Sequence, residues 1–441
     1  MNQREFSSRM QPFLLRRHAS RLGRRYVLAA TGIIFLGLVS CSRIDIDSVV
    51  AQPRPINQQD SPNQQMTTPA VEAVVAANTE FGFKLFSQVL EQNSNTNVFI
   101  SPASVAIALE MLYNGAAGET QQAMANTLEL QGLNLSAINS ANAALLNALA
   151  NPDTNVQLAI ANSLWAKQEY PIRQDFLQKN QNFYKAQVTN LDFASTDATN
   201  TINAWVQQQT NGRIEQIIEQ INPEDVLFLI NAIYFKGKWS EEFDPSQTTN
   251  EPFYLTSGTS KQHPLMSQSG RYRYYENEQF QAVSLPYGKN GRLSLYVFLP
   301  NQNSHLTNFY QQLNAANWEK WLAQFNQREG SIRLPRFQME HDLTLNNTLK
   351  ALGMGVAFTN NANFSGVGEG LALSEVKHKT FVEVNEEGTE AAAVTSGRVT
   401  AVSAPIAEPF EMIVNRPFFC AIRDNQTGTV LFMGSIVEPQ S

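Results

Sequence analysis

Residues Asn385–Pro405 read NEEGTEAAAVTSGRVTAVSAP. The stretch opens acidic at Glu386 and Glu387, passes Gly388, and then becomes almost entirely small residues. Alanines and small hydroxyls build no core, and the run is too long for a tight turn. Structureless loops beyond about 12–15 residues are uncommon in compact domains and are usually functional or disordered. This one lacks the charge and proline of a disordered linker. It also alternates. From Thr389, one parity carries Thr389, Ala391, Ala393, Thr395, Gly397 and Val399; the other carries Glu390, Ala392, Val394, Ser396, Arg398 and Thr400. All the charge lies on the second parity. Strand side chains alternate between faces, so the segment is fitted to enter a sheet with one small, uncharged face inward. A plain surface loop is the competing reading, and the rest of the chain has to decide between them.

The 441 residues suffice for two or three domains or one large one, and 43% hydrophobic content supplies a sizeable core. The net charge is −7; residues 1–40 hold seven Arg and one acid, so the remainder carries 25 basic against 38 acidic residues, a net of −13. That balance excludes a general nucleic-acid binder. The five histidines (18, 263, 305, 341 and 378) show no metal-binding spacing, and no metal site is expected. Of the two cysteines, Cys420 lies in the apolar run PFFCAI and reads as a buried thiol, not as a disulfide partner or nucleophile.

The N-terminus reads as an address. Residues 1–25 are basic, Tyr26–Val39 is apolar, and Leu38-Val39-Ser40-Cys41 follows. A charged region, a short apolar region and a small-residue site describe a secretory signal over residues 1–40. The apolar stretch is short of the roughly 20 residues a spanning helix needs. The tetrad resembles a bacterial lipobox, which implies lipidation of Cys41; a signal cleaved elsewhere or an uncleaved anchor are the alternatives. Residues 41–70, rich in Gln, Asn, Pro and Ser, read as a flexible tether with a reach of roughly 30 Å. The expected location is outside the cytoplasm, lipid-anchored on the periplasmic or cell-surface side, or secreted if the lipobox reading fails.

The domain begins at residue 71. Val71–Glu91 has helical apolar spacing, Val98–Ile100 reads as a buried strand, and Ala103–Tyr113 as a helix. VLFLINAIYF (226–235) is near-continuously apolar, as suits a strand buried on both faces. Further strands are expected at 155–167, 282–287, 293–300, 331–337, 417–422 and 429–437, with helices near 201–210 and over Leu343–Leu352. GVGEG (366–370) mimics a dinucleotide motif only loosely and reads as a surface loop. Helices dominate the first half and strands the second, which is an α+β architecture in one large domain.

Eight stretches, in order, carry a resemblance: NVFISPASVAIALEMLYNGAAGET (97–120), INAWVQQQTNGRI (202–214), LINAIYFKGKW (229–239), SLPY (284–287), LPRF (334–337), LNNTLKALGM (345–354), HKTFVEVNEEGTEAAA (378–393) and NRPFFCAIRDNQTGTVLFMG (415–434). Over residues 71–441 the chain resembles a serpin. The resemblance implies three β-sheets, about eight or nine helices, and an exposed reactive-centre loop over about 386–408. It implies no catalytic residue: a serine protease cleaves the loop, forms an acyl-enzyme, and is trapped when the freed loop inserts into the large sheet.

The family's hinge register puts the scissile bond at Val402–Ser403. The hinge is then Glu386, Glu387, Gly388, Thr389, Glu390, Ala391, Ala392, Ala393 and Thr395. Ser101, Ser104, Asn231 and His378 match the family's shutter, a polar cluster under the strands that must part. Trp239 and Arg336 match the breach where insertion starts, with Arg336 placed to pair with Glu386. The partner implied is a serine protease, elastase-like because Val402 is small and β-branched, met by a monomeric inhibitor. A non-inhibitory binding or chaperone-like serpin is the alternative. No cofactor is implied; between Thr120 and Asn155 there is almost no Lys or Arg to bind a polyanion.

Overall fold

The computed structural model describes residues 68–93, 95–150, 152–302, 304–389 and 408–440. Nine α-helices occur among the described residues: α1 (Pro69–Gln92), α2 (Pro102–Tyr113), α3 (Gly118–Thr127), α4 (Leu135–Leu149), α5 (Gln174–Lys179), α6 (Ala198–Gln209), α7 (Leu306–Tyr310), α8 (Ala315–Leu322) and α9 (Asn346–Leu349). The strands are β1 (Val98–Ile100), β2 (Val156–Lys167), β3 (Gln187–Leu191), β4 (Leu227–Lys238), β5 (Thr249–Tyr254), β6 (Ser260–Glu276), β7 (Phe280–Tyr287), β8 (Leu293–Pro300), β9 (Asn326–Pro335), β10 (Phe337–Thr344), β11 (Glu375–Val384), β12 (Gly388–Thr389), β13 (Phe410–Ile413), β14 (Phe418–Asp424) and β15 (Val430–Ile436).

Hydrogen bonding groups them into two networks. One has six strands in the order β10-β11-β4-β2-β3, with β12 added against β4. The other has nine, β1-β15-β14-β8-β7-β6-β9-β13, with β5 against β6. β6 belongs to two ladders: residues 260–274 pair with β5 and β9, and residues 273–276 pair with β7. The nine-stranded network thus contains two sub-sheets joined through one long strand. With the six-stranded sheet they make up the three sheets expected from the sequence.

β4 shows why an unbroken apolar run suits this position. Leu227, Leu229, Ile233 and Phe235 join the main core, while Phe228, Ile230, Ala232 and Tyr234 join a second cluster with Ile202 and Val206 of α6. Both faces are covered, so both parities are apolar. α2 is covered all round for the same reason: it contacts both β4 and β15, and every one of its residues is buried, Ser104 and Glu110 included.

Two expectations are corrected. Residues Leu343 and Thr344 belong to β10, opposite His378 and Lys377, and α9 covers only Asn346–Leu349 before a π-turn at Lys350–Met354. The leucines at helical spacing are divided among a strand end (Leu343), the short α9 with its N-cap (Leu349 and Leu345) and the wider π-turn (Leu352). The GVGEG segment is not simply a surface loop. Val367 is buried, and the Gly366 N–H donates to the Gly115 carbonyl at 3.0 Å. A Cβ on Gly366 would lie 2.9 Å from Gly115 Cα, so glycine permits this backbone-to-backbone approach.

Candidate functional site: a seam in the six-stranded sheet

β11 and β4 lie side by side and parallel, in register from Glu375–Phe228 to Phe381–Tyr234. Their ladder then stops, although β11 runs on to Val384 and β4 to Lys238. The seam is the weakly tied line of the sheet. β11 is bound to β10 by an antiparallel ladder along the whole of β10, reinforced by Lys377–Asp342 (2.7 Å) and Lys379–Glu340 (2.6 Å). β4 is bound to β2 by an antiparallel ladder from Val156 to Ala166. Parallel pairing is slightly the weaker kind per residue.

At the open end of the seam the chain turns back on itself. Asn385 and Gly388 exchange backbone hydrogen bonds (2.8 and 3.2 Å), and the Asn385 side-chain oxygen accepts from the Glu387 N–H at 3.1 Å. After this reversal Gly388 and Thr389 pair antiparallel with Lys238 and Gly237 of β4. Glycine is required here. Its φ is +135°, and a Cβ would stand 2.1 Å from the Gly237 carbonyl oxygen.

Side chains fix the turn. The Glu386 side chain is 6% exposed and accepts from Arg336 Nε at 2.7 Å and from the Thr248 hydroxyl. Charge-assisted bonds of this kind are about twice as strong as neutral ones. The Trp239 indole N–H donates to the Asn385 carbonyl at 2.9 Å, and the Trp239 backbone N–H to the Glu387 carbonyl at 2.9 Å. Its ring stacks on Tyr287 with centroids 4.4 Å apart. A cleft of about 360 Å³ lies beside this turn, lined by Arg336, Glu383, Asn385 and Glu387 among others.

Midway along the seam a polar cluster crosses it. His378, Asn231 and Asn162 stand opposite one another on β11, β4 and β2. The Ser101 backbone N–H donates to His378 Nε2 at 3.0 Å, which leaves the proton on Nδ1, and Nδ1 donates to Asn231 Oδ1 at 2.6 Å. Asn231 Nδ2 in turn donates to Asn162 Oδ1 (2.6 Å) and to Ser104 Oγ (2.5 Å). The Ser101 hydroxyl donates to the Leu431 carbonyl of β15 at 2.6 Å. The cluster is buried, with His378 at 0% exposure. The His378–Asn231 bond is a side-chain link between the two strands of the seam, so a strand entering there must break it.

Burial, then the nearby His341, holds the His378 imidazole down to about 3. Its native-state value lies below its unfolded value of 6.5, so stability is full above about pH 6.5 and is lost as pH falls toward 3. Acid unfolding of the wild type is expected to begin near pH 6. Replacing His378 with Gln should flatten the stability profile between pH 6.5 and 4 in urea titrations; an unchanged slope would count against a neutral native His378.

The structure therefore brings Ser101, Ser104, Asn231 and His378 together, and Trp239 and Arg336 together with Asn385–Gly388. Glu390, Ala391, Ala392, Ala393, Thr395, Val402 and Ser403 lie outside the described residues, as do Cys41 and the tether up to residue 67; the last residues assigned to the tether belong to the domain, because Thr68 caps α1 and Pro69 and Ala70 are its first helical residues. Sequence reading missed Thr248, whose hydroxyl is the second partner of Glu386 beside Arg336, and Asn162, the third member of the rung. Neither lies in a stretch that resembles the family. A weak signal for Asn162 was available: it interrupts the apolar parity of β2 at a position where a core strand avoids an amide. Among the described residues no group of three or more His, Cys, Asp and Glu residues is placed to hold a metal ion.

The sequence profile of the family described as serpin (serine protease inhibitor) matches residues 76–439. The chain belongs to the serpin family. It is 35% identical to the bovine leukocyte elastase inhibitor over 385 residues, covering 84% of this chain and 100% of the relative. It is 36% identical to an uncharacterised serpin-like protein of Thermococcus kodakarensis, covering 83% and 86%. Among solved structures, the thermophilic serpin tengpin in its native state matches with a TM-score of 0.76 at 31% identity, covering 84% of this chain and 95% of that one. Human thyroxine-binding globulin matches with a TM-score of 0.77 at 28% identity, covering 84% and 100%.

Proposed function

We propose that this serpin inhibits serine endopeptidases as a suicide substrate. A protease attacks the loop near Val402–Ser403, its serine forming an ester with the Val402 carbonyl as the amine of Ser403 leaves. The freed segment from Thr389 onward then enters the seam between β11 and β4 before water hydrolyses the ester. The single observation that carries this reading is the seating of Gly388–Thr389 antiparallel on the end of β4. A strand continued from there runs antiparallel to both β4 and β11 and fills the seam. Roughly 14 residues at about 3.3 Å each span some 45 Å, enough to carry a tethered protease along the sheet.

The small Val402 and the likeness to the bovine leukocyte elastase inhibitor favour an elastase-like target. Mixed with a pancreatic-type elastase, the protein is expected to give a detergent-stable complex of about one protease per chain; clean cleavage with no complex sinks the reading. That second outcome is the signature of a binding serpin without inhibition, the reading favoured by the likeness to thyroxine-binding globulin. The protein is further proposed to act as an exported monomer, lipid-anchored through Cys41. Metabolic labelling with palmitate should mark the wild type and not Cys41→Ser; an unlabelled wild type rules the anchor out. No helix among the described residues is long and apolar enough to cross a membrane.

A further inference from the structure

Helix α2 carries an acid where its pattern calls for another apolar residue. Glu110 is 0% exposed and is the only acid or base in PASVAIALEMLY. A carboxylate left there as an unpaired ion is strongly disfavoured, and no cation stands by. α4 and β15 contain no acid, base or histidine. Glu72, Lys84 and Glu91 of α1 and Glu119 of α3 are exposed, and Glu80 is half-exposed. On β2 and β4, Lys167, Tyr234, Lys236 and Lys238 do not bear on Glu110, whose environment is set by burial and by Asn142. The one titratable group that faces it is Tyr184, and that hydroxyl donates to Asn139 Oδ1 at 2.8 Å.

Glu110 does have one partner in α4. Asn142 Nδ2 donates to Glu110 Oε2 at 2.5 Å. Two acceptors of this same pair, Glu110 Oε1 and Asn142 Oδ1, are buried without a hydrogen-bond partner. The adjacent amides do not serve these acceptors: Asn114 and Asn139 are bonded reciprocally to each other at 2.9 and 2.8 Å, and Asn114 also donates to the Glu110 backbone carbonyl at 3.3 Å. One proton on Oε1 satisfies both orphans: the acid O–H donates to the amide oxygen while the amide N–H donates to the acid carbonyl. We propose that Glu110 is the neutral acid in the native protein, that its proton closes a two-point pair with Asn142 fastening α2 to α4, and that this makes the helix beneath the seam sensitive to alkali. Ser104, which accepts from Asn231 at the seam, lies on the same helix about 9 Å away along its axis. Loss of the proton to solvent base returns two unpaired acceptors and a buried charge to the α2–α4 contact.

Burial pushes the Glu110 carboxyl up to about 8, against 4.5 in the unfolded chain. Its contribution to stability is therefore full below pH 4.5 and is lost as pH rises to about 8. His378 acts in the opposite sense below 6.5, so Glu110 is read most clearly between pH 6.5 and 8. The test compares wild type with Glu110→Gln, an isostere that forms the same two bonds without a titrating proton. In urea titrations over this window the wild-type unfolding constant is expected to rise about 15-fold more than that of the variant; equal slopes overturn the proposal. Infrared spectroscopy of the wild type gives a second measurement that needs no variant. A protonated-carboxyl stretching band should be present at pH 6.5 and titrate away above pH 8, and its absence at pH 6.5 overturns the proposal as well.

Discussion

Gly388→Val is expected to turn the protein from inhibitor to substrate. Under the proposed mechanism, insertion competes with hydrolysis of the acyl-enzyme, and the outcome depends on which is faster. Insertion begins where Gly388 is seated at φ +135°, with the Gly237 carbonyl oxygen 2.1 Å from the place a Cβ would occupy. A β-branched residue there adds backbone strain of about 1–3 kcal/mol and pushes the strand off β4. If that appears in the barrier, insertion slows about 5- to 150-fold. Hydrolysis, which occurs at the protease, is unaffected. The expected result is loop cleavage at the wild-type rate with less detergent-stable complex, the loss reaching the same factor where insertion no longer outruns hydrolysis. Thr389→Arg should act alike, because it places charge on the parity of the segment that carries none and that would face the interior on insertion. Full complex formation by both variants would contradict the hinge assignment.

Asn231→Ala is expected to cost about 3–5 kcal/mol of stability. The amide holds three side chains together across β11, β4, β2 and α2. Truncation leaves the His378 Nδ1–H, Asn162 Oδ1 and Ser104 Oγ short of a partner in a buried setting, and each orphaned group costs about 1–3 kcal/mol. The change also removes the side-chain bond across the seam. Uncleaved protein held at moderate temperature should therefore convert faster to a form with the loop inserted, seen as loss of complex-forming capacity without cleavage. Urea unfolding measures the first effect, and a loss below about 1 kcal/mol would show that the cluster is not the fastening described.

Much of the frame was legible in the chain. VLFLINAIYF announced a strand covered on both sides, because burial on both faces leaves both parities of a strand apolar. β6 was harder. Its seventeen residues, SKQHPLMSQSGRYRYYE, mix polar and apolar positions because it changes neighbours partway, and no single period describes it. The Leu343–Leu352 region failed for a related reason, since its four leucines are compatible with a helix while the β10 ladder claims the first of them.

The sequence by itself determined the family, the buried central strand, the uncharged parity that begins at Thr389, and Ser101, Ser104, Asn231 and His378 of the seam cluster. These follow from local pattern and from motifs that survive in linear order. Tertiary structure alone decided three things. One is that Gly388–Thr389 is seated on β4, which depends on a carbonyl from residue 237 lying where no side chain fits. Another is that Asn162, Asn231 and His378 form one rung, which is a matter of register between distant strands. The third is that Glu110 is sealed from water beside Asn142. Hydrogen-bond partners and desolvation are properties of a packed interior, and the linear chain does not encode them at any one position.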